Sequence, residues 1–228
     1  MLLMRLLYLS MNKGDIMKKH LLIMALFCSL CMHAMAQTVP FNFDNSPVYS
    51  PFPISVTSGG YTAHLSATGA GYSIQNSGTT GNYTPVGFTG NYIYPSSVFA
   101  SDLLIGFDQP LTSFAILYAP QELACDSSAR MRVTAYSNNV LVGTNTCVAD
   151  PPGTWPSATL TFGSATAFDR VVVHYDAPPP TGGDYGPIFM ADNMVVTFAT
   201  PVPEPAGMLL LIFTCAGLFV ATIYRGYL

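Results

Sequence analysis

Between Gln37 and Ala199 the apolar residues of this chain recur at every second position, in short runs separated by turn-forming residues. The clearest case is Ala129-Arg130-Met131-Arg132-Val133-Thr134-Ala135-Tyr136, which puts Ala129, Met131, Val133 and Ala135 on one face and polar groups on the other. A period of two is the pitch of an extended strand with one buried face, and it cannot be laid onto a helix without scattering the apolar side chains. Outside the two chain ends, no window longer than ten residues carries a capped helical period. The middle of the chain is therefore restricted to sheet. Composition agrees: 19 Gly and 18 Pro supply turns, and only 9% of residues are charged.

Further strands are predicted at Ile54–Thr57, Tyr61–Ser66, Tyr72–Gln75, Leu103–Phe107, Ser113–Tyr118, Val140–Thr146, Ala158–Phe162, Arg170–Tyr175 and Met194–Phe198. Ser137-Asn138-Asn139 joins two of these runs and reads as a hairpin turn. Gly69 to Asn91 and Pro178 to Gly186 are rich in Gly, Pro, Ser and Thr and read as long surface loops. About ten short strands in one domain imply an all-β fold, an antiparallel two-sheet sandwich of jelly-roll type.

Charge narrows the function. From Gln37 to Thr200 there is no lysine, and three arginines (Arg130, Arg132, Arg170) face ten Asp and Glu, a balance of −7. A surface of that sign repels phosphate backbones, so nucleic acid is excluded as the expected partner. A lysine-free, acidic exterior suits a protein that works outside the cell. Residues 17–37 (MKKHLLIMALFCSLCMHAMAQ) supply the route: Lys18 and Lys19, an apolar stretch from Leu21 to Met32, and Ala34-Met35-Ala36 ahead of Gln37. These are the three parts of a cleavable secretory signal, with Met17 as the expected true start.

Export bears on the cysteines. Cys28 and Cys31 leave with the signal and Cys215 lies in the C-terminal apolar run, so the exported domain keeps Cys125 and Cys147. Two cysteines in an exported domain are expected to pair, and closing this loop would stabilise by roughly 3 kcal/mol. Counting back around a turn centred on Asn138 puts Cys147 opposite Ala129, four residues from Cys125. Two free thiols are the alternative.

The familiar catalytic signatures are missing: no G-x-S-x-G, no H-E-x-x-H, no phosphate-binding glycine loop and no paired C-x-x-C. His64 and His174 are lone histidines on strands. Asp44, near the start of the domain, and Asp192, which opens its last strand, could meet if first and last strands are neighbours. Two such carboxylates with nearby carbonyls suit a hard cation, calcium above all. Asp-Asn pairs such as Asp44-Asn45 and Asp192-Asn193 also make turns by themselves. Tyr83, Tyr92, Tyr94, Trp155 and Tyr185 lie in predicted loops or at strand ends, where flat rings can stack on sugars. Trp155 is the candidate glycan contact.

The last feature is the C-terminus. Ala206 to Tyr224 is 19 residues without a charge, about 28 Å as a helix and enough for a membrane core. Arg225 follows and marks the cytoplasmic side. Ahead of this span, Val202-Pro203-Glu204-Pro205 holds the backbone extended and lacks amide donors at its prolines. Pro-Glu-Pro, an apolar span and a basic residue near the end resemble the PEP-CTERM sorting domain, over Val202 to Leu228. That family usually ends in an arginine cluster, where this chain has Arg225 alone.

The resemblance implies an exosortase, an integral-membrane processing protease, as partner, with the chain as its substrate. Three further stretches resemble the β-sandwich ectodomains attached to such tails: residues 107–114, residues 167–171 and residues 192–196. The expected organisation is a signal peptide over 1–36, an ectodomain over 37–199 and a sorting segment over 200–228. The last divides into a linker (200–205), a transmembrane helix (206–224) and a cytoplasmic end (225–228). The expected role is structural, adhesive or exopolysaccharide-associated, at the cell surface or in the extracellular matrix, without catalysis. A carbohydrate-binding module and a secreted hydrolase with an unrecognised site are the alternatives.

Overall fold

A computed structural model describes residues 36–81, 84–120, 130–149, 156–176 and 187–199, which fall within one compact unit, Ala36–Ala199. The signal, the Pro-Glu-Pro motif, the predicted terminal helices, Cys125 and Trp155 lie outside these residues. Every described element is a strand: β1 Thr38–Phe41, β2 Ile54–Ser58, β3 Tyr61–Ala67, β4 Tyr72–Asn76, β5 Asn91–Pro95, β6 Leu103–Pro120, β7 Arg130–Ser137, β8 Val140–Val148, β9 Ala158–Tyr175 and β10 Phe189–Phe198. All pairings are antiparallel.

The expectation of uniformly short strands is corrected at two places. The runs Leu103–Phe107 and Ser113–Tyr118 belong to one 18-residue strand, β6, and Ala158–Phe162 and Arg170–Tyr175 to another, β9. Asp108-Gln109-Pro110 reads as a break in the sequence. In the fold it is an irregularity in the ladder, with the β6–β9 register slipping between Gly106 and Leu111 and again before Ser113. A bulge bends a strand without ending it. Here the bends carry β6 and β9 from one half of the molecule to the other.

The fold is all-β and antiparallel, consistent with the expected sandwich, and its ten strands are joined into one continuous hydrogen-bonded path, ordered β4-β5-β10-β6-β9-β7-β8, with β1 on β10 and the β2–β3 hairpin on β6. One half runs β2-β3-β6-β9-β7-β8 through the first part of β6 and the last part of β9. The other joins β4, β5, β10 and β1 to the remaining parts of β6 and β9. The halves face each other across one core. Tyr61 of β3 stacks on Phe198 of β10 at 3.7 Å, and Phe41 of β1 meets the Phe107 ring edge-on at 6.4 Å. Phe41, Leu65, Ile105, Phe114, Phe168, Val171 and Val196 are among its fully buried members. Each such side chain contributes about 1.5–3 kcal/mol of apolar transfer, which is what holds the folded-over sheet closed.

Two short strands, β1 and β5, were not expected. β5 lies directly after the predicted loop Gly69–Asn91, and its residue Tyr92 is fully buried beneath Phe88, not presented to solvent. The Asn138-Asn139 turn is as expected: both residues have positive φ (48° and 67°), the geometry that closes a two-residue hairpin without splaying the strands.

Candidate functional site

Two groups of polar side chains are brought together by this topology. The first is the predicted acidic pair. β1 lies along β10 with Phe41 opposite Met194, so Asp44, three residues past β1, comes beside Asp192 in β10. The residues between them are Thr89, Gly90 and Asn91. Asp192 is fully buried; its Oδ2 accepts the Thr89 amide at 3.0 Å and its Oδ1 the Asn193 amide at 2.7 Å. Asp44 Oδ1 accepts the Asn91 amide at 2.8 Å. Asn193 adopts φ +46° and donates through Nδ2 to the Gly87 carbonyl at 3.0 Å. Burial raises the Asp192 carboxyl to about 6, the two amides oppose the shift, and the Asp44 charge adds to it.

This arrangement clamps the segment that leads into β5. Both Asp192 oxygens already hold amides, and among the described residues no group of three or more His, Cys, Asp or Glu converges. Calcium takes six to eight oxygens. Asp44 and Asp192 would supply carboxylates to such an ion, and the remaining ligands would have to be carbonyls or water. The structure thus brings the two predicted residues together, in the role of amide acceptors.

The second group was not foreseen. Strand alternation and register place Ser55 (β2), His64 (β3), Gly106 (β6), Arg170 (β9) and Tyr136 (β7) side by side in one row. Their chain neighbours Ala63, Leu65, Ile105, Val171 and Ala135 are buried, so the row lies on the outer face of the β2-β3-β6-β9-β7-β8 half. Neither histidine is alone. His64 Nδ1 lies 2.9 Å from Ser55 Oγ and its Nε2 lies 2.8 Å from Asp108 Oδ1; His174 Nδ1 contacts Asp102 Oδ1. Arg132, also outward-facing, donates through Nε to Asp176 Oδ1 at 3.0 Å. The Arg170 guanidinium is held differently, over the Tyr136 ring at 4.5 Å from its centroid. A shallow, open depression of about 280 Å³ lies at the Ser55–His64 end, beside Pro53 and Ser66.

Ser55, His64 and Asp108 make a hydrogen-bonded chain of the residue types used in nucleophilic catalysis. It lies on an open sheet, with the His64 and Asp108 side chains 53% and 54% exposed. An enclosed, water-excluded site is what gives such a chain its catalytic strength, and no cavity encloses this one among the described residues. The sequence did hold a signal for this face. Arg130 and Arg132 alternate with Met131 and Val133, and Gly106 occupies an outward slot between Ile105 and Phe107. What a single sequence withholds is the cross-strand register that lines the slots up.

Of the other predicted residues, Cys147 is described. It pairs with Met131 and not with Ala129, because the loop has two residues and the register slips after Ala135, moving the partner by two. Cys147 is half-buried, has no disulfide partner among the described residues and donates to the Val148 carbonyl at 3.6 Å; its expected partner Cys125 lies outside the described residues. Val202, Pro203, Glu204, Pro205, Arg225, Tyr83, Trp155 and Tyr185 also lie outside them. Tyr94 is half-buried against the Phe88–Tyr92 cluster.

No family profile matches the chain, and no curated protein matches it. Solved structures do resemble it. One is a cleaved adhesin domain of Lys-gingipain from Porphyromonas gingivalis, with TM-score 0.40 and 14% identity over 72% of this chain and 99% of that one. A second is a family 29 carbohydrate-binding module in complex with mannohexaose (0.36, 13%, 72% and 92%). A third is a family 35 carbohydrate-binding module from Clostridium thermocellum (0.36, 15%, 72% and 100%). At these scores the likeness is loose, and no function is carried over from it.

Proposed function

We propose that this chain is an exported, surface- or matrix-located binding protein that an exosortase-type protease sorts through Pro203-Glu204-Pro205, and whose β domain associates with polysaccharide. One observation on the domain carries the binding part: the outer row Ser55-His64-Gly106-Arg170-Tyr136 is polar and open, and among the described residues no enclosed cavity accompanies it. Open sheet faces studded with hydrogen-bonding groups suit extended ligands, whereas small-molecule chemistry favours concave, enclosed sites. The export part is supported by the signal-like residues 17–37 and the uncharged run after Glu204, which bracket the domain. Glu204 is the only charge in that strip and a natural handle for a basic pocket.

Intact-mass analysis of the protein from its native envelope tests the sorting. Cleavage before Gln37 and near Glu204 is expected, with the second cut lost in Glu204→Ala. Unchanged processing in that variant overturns the role given to Glu204, and an uncut tail overturns the sorting itself.

A further inference from the structure

Gly106 sits in the interior of β6, where glycine weakens a strand by giving up packing and adding unfolded-state entropy. On its β9 side the ladder slips just after it, between Gly106 and Leu111, but Gly106 itself still pairs with Arg170. Its φ is not in the left-handed region, its ladder to β3 runs unbroken through Phe107, and a Cβ built there would meet no atom within 4 Å. Beside that bulge, the missing side chain leaves open space over Gly106, room for something outside the chain to approach closely.

The neighbours in its row define what that is. His64 lies one strand away on one side, within its chain to Ser55 and Asp108. Arg170 lies one strand away on the other, stacked on Tyr136. Strand spacing puts these two backbones about 10 Å apart, with Gly106 as the floor between them. The side chains differ in what they leave unused. His64, His174 and Arg132 each face a carboxylate, at Asp108, Asp102 and Asp176 respectively. Arg170 is fixed by a ring stack, and among the described residues no carboxylate lies within ion-pair distance of it. Stacking orients a guanidinium while leaving its fork of N–H donors in the ring plane free. A fork of that shape takes a carboxylate with two parallel hydrogen bonds.

We propose that the gap over Gly106 is a subsite for one uronic-acid residue of an acidic polysaccharide. The sugar carboxylate lies on the Arg170 guanidinium, the ring lies over Gly106 and a ring hydroxyl reaches the His64–Asp108 pair. This rests on the polysaccharide-binding reading above and names its ligand class. An overall acidic domain repels a polyanion at long range, so binding is weak and concentrated where Arg170, an uncompensated cation oriented by a ring, stands.

The test is affinity electrophoresis and calorimetry of the exported protein with polygalacturonate and with neutral mannan, at low and high salt. Three proteins are compared: the parent chain, Arg170→Gln and Gly106→Tyr, with the unfolding midpoint as the control for folding. Retention by polygalacturonate that falls with salt is expected. It should weaken at least about tenfold in Arg170→Gln, through loss of a charge-assisted pair, and equally in Gly106→Tyr, which fills the floor with a good strand former. Both variants should keep the parental midpoint. Polygalacturonate retention that the two folded variants share with the parent overturns the proposal, as does its absence at low salt. Retention by mannan alone also overturns the uronate subsite, while leaving polysaccharide association standing.

Discussion

Gly90→Ala isolates the clamp between Asp44 and the entry to β5. Gly90 has φ +61°, and a Cβ built on it would stand 1.8 Å from Asp44 Oδ1 and 2.7 Å from its Cγ. Neither atom belongs to the backbone, so the carboxylate swings away and the steric cost converts into a lost hydrogen bond to the Asn91 amide. A bond of this kind near the surface contributes about 1 kcal/mol, and an alanine in the left-handed region costs about 1–2 kcal/mol more. Gly90→Ala should therefore destabilise by about 2–3 kcal/mol, a fall of roughly 5–10 °C in midpoint for a domain of this size.

Asp44→Ala removes the same hydrogen bond and should cost about 1 kcal/mol by itself. The double variant has no carboxylate left to displace, so it should be no worse than Gly90→Ala alone, giving a coupling of about 1 kcal/mol between the two positions. Urea unfolding at neutral pH, followed by far-ultraviolet circular dichroism, resolves a difference of that size when the m-values agree. Additive losses would refute the reasoning, since they would mean that the methyl group and the carboxylate never compete for one space.

Three other expectations follow from the same residues and their surroundings. Asp192 is held at about 6, above the usual carboxylate value of about 3.9, so the folded state keeps its proton longer than the unfolded state does. Its contribution to stability is fully present below pH 4, declines as pH rises from 4 to 6 and is lost above 6. The ceiling is about 3 kcal/mol before screening by water, and Asp192→Asn should flatten the pH dependence relative to the parent; identical slopes would sink the assignment. If both Asp192 oxygens are committed to amides, the unfolding midpoint should be the same in excess chelator and in millimolar calcium. A calcium-dependent rise that disappears in Asp44→Ala would reassign the pair to a cation. For Cys125 and Cys147, non-reducing peptide mapping of the exported protein is expected to yield one linked pair, whose reduction costs roughly 3 kcal/mol; two alkylated thiols would remove that bond from the fold.

The all-β character, most strands and the Asn138-Asn139 turn were legible because they depend on local chemistry, namely period two and the residues that tolerate positive φ. The fusion of runs into β6 and β9 was not. Gln109-Pro110 looks the same in a sequence whether the strand stops or merely bends, and only pairing with β9 and β10 decides between them. Asp44 and Asp192 meet because β1 and β10 pair, a neighbour relation of first and last strands that a sandwich favours but local chemistry does not encode. The Gly106 row was missed for a deeper reason. Each member has an ordinary local explanation as an outward residue on its own strand, and the pattern exists only across five strands at once.

The two outer faces of the sheet explain why one of them is available. On the β5–β10 side the segment from Pro85 to Asn91 crosses the sheet, and Phe88, Tyr92 and Met190 form a buried cluster beneath it. Asp44 and Asp192 fasten that segment through its amides, at the expense of a buried carboxylate with a raised pKa. On the β3–β6–β9 side no such cover among the described residues meets Gly106, and the arginines and histidines of the described residues project from that face. The acidic clamp and the open row are then two parts of one design. Covering one face with an apolar cluster stabilises the sheet enough that the other can keep a glycine in mid-strand and a guanidinium without a carboxylate. The mid-strand glycine costs about 0.5–1 kcal/mol relative to alanine, whereas the guanidinium gives up little by lacking a carboxylate, since surface ion pairs contribute at most about 1 kcal/mol.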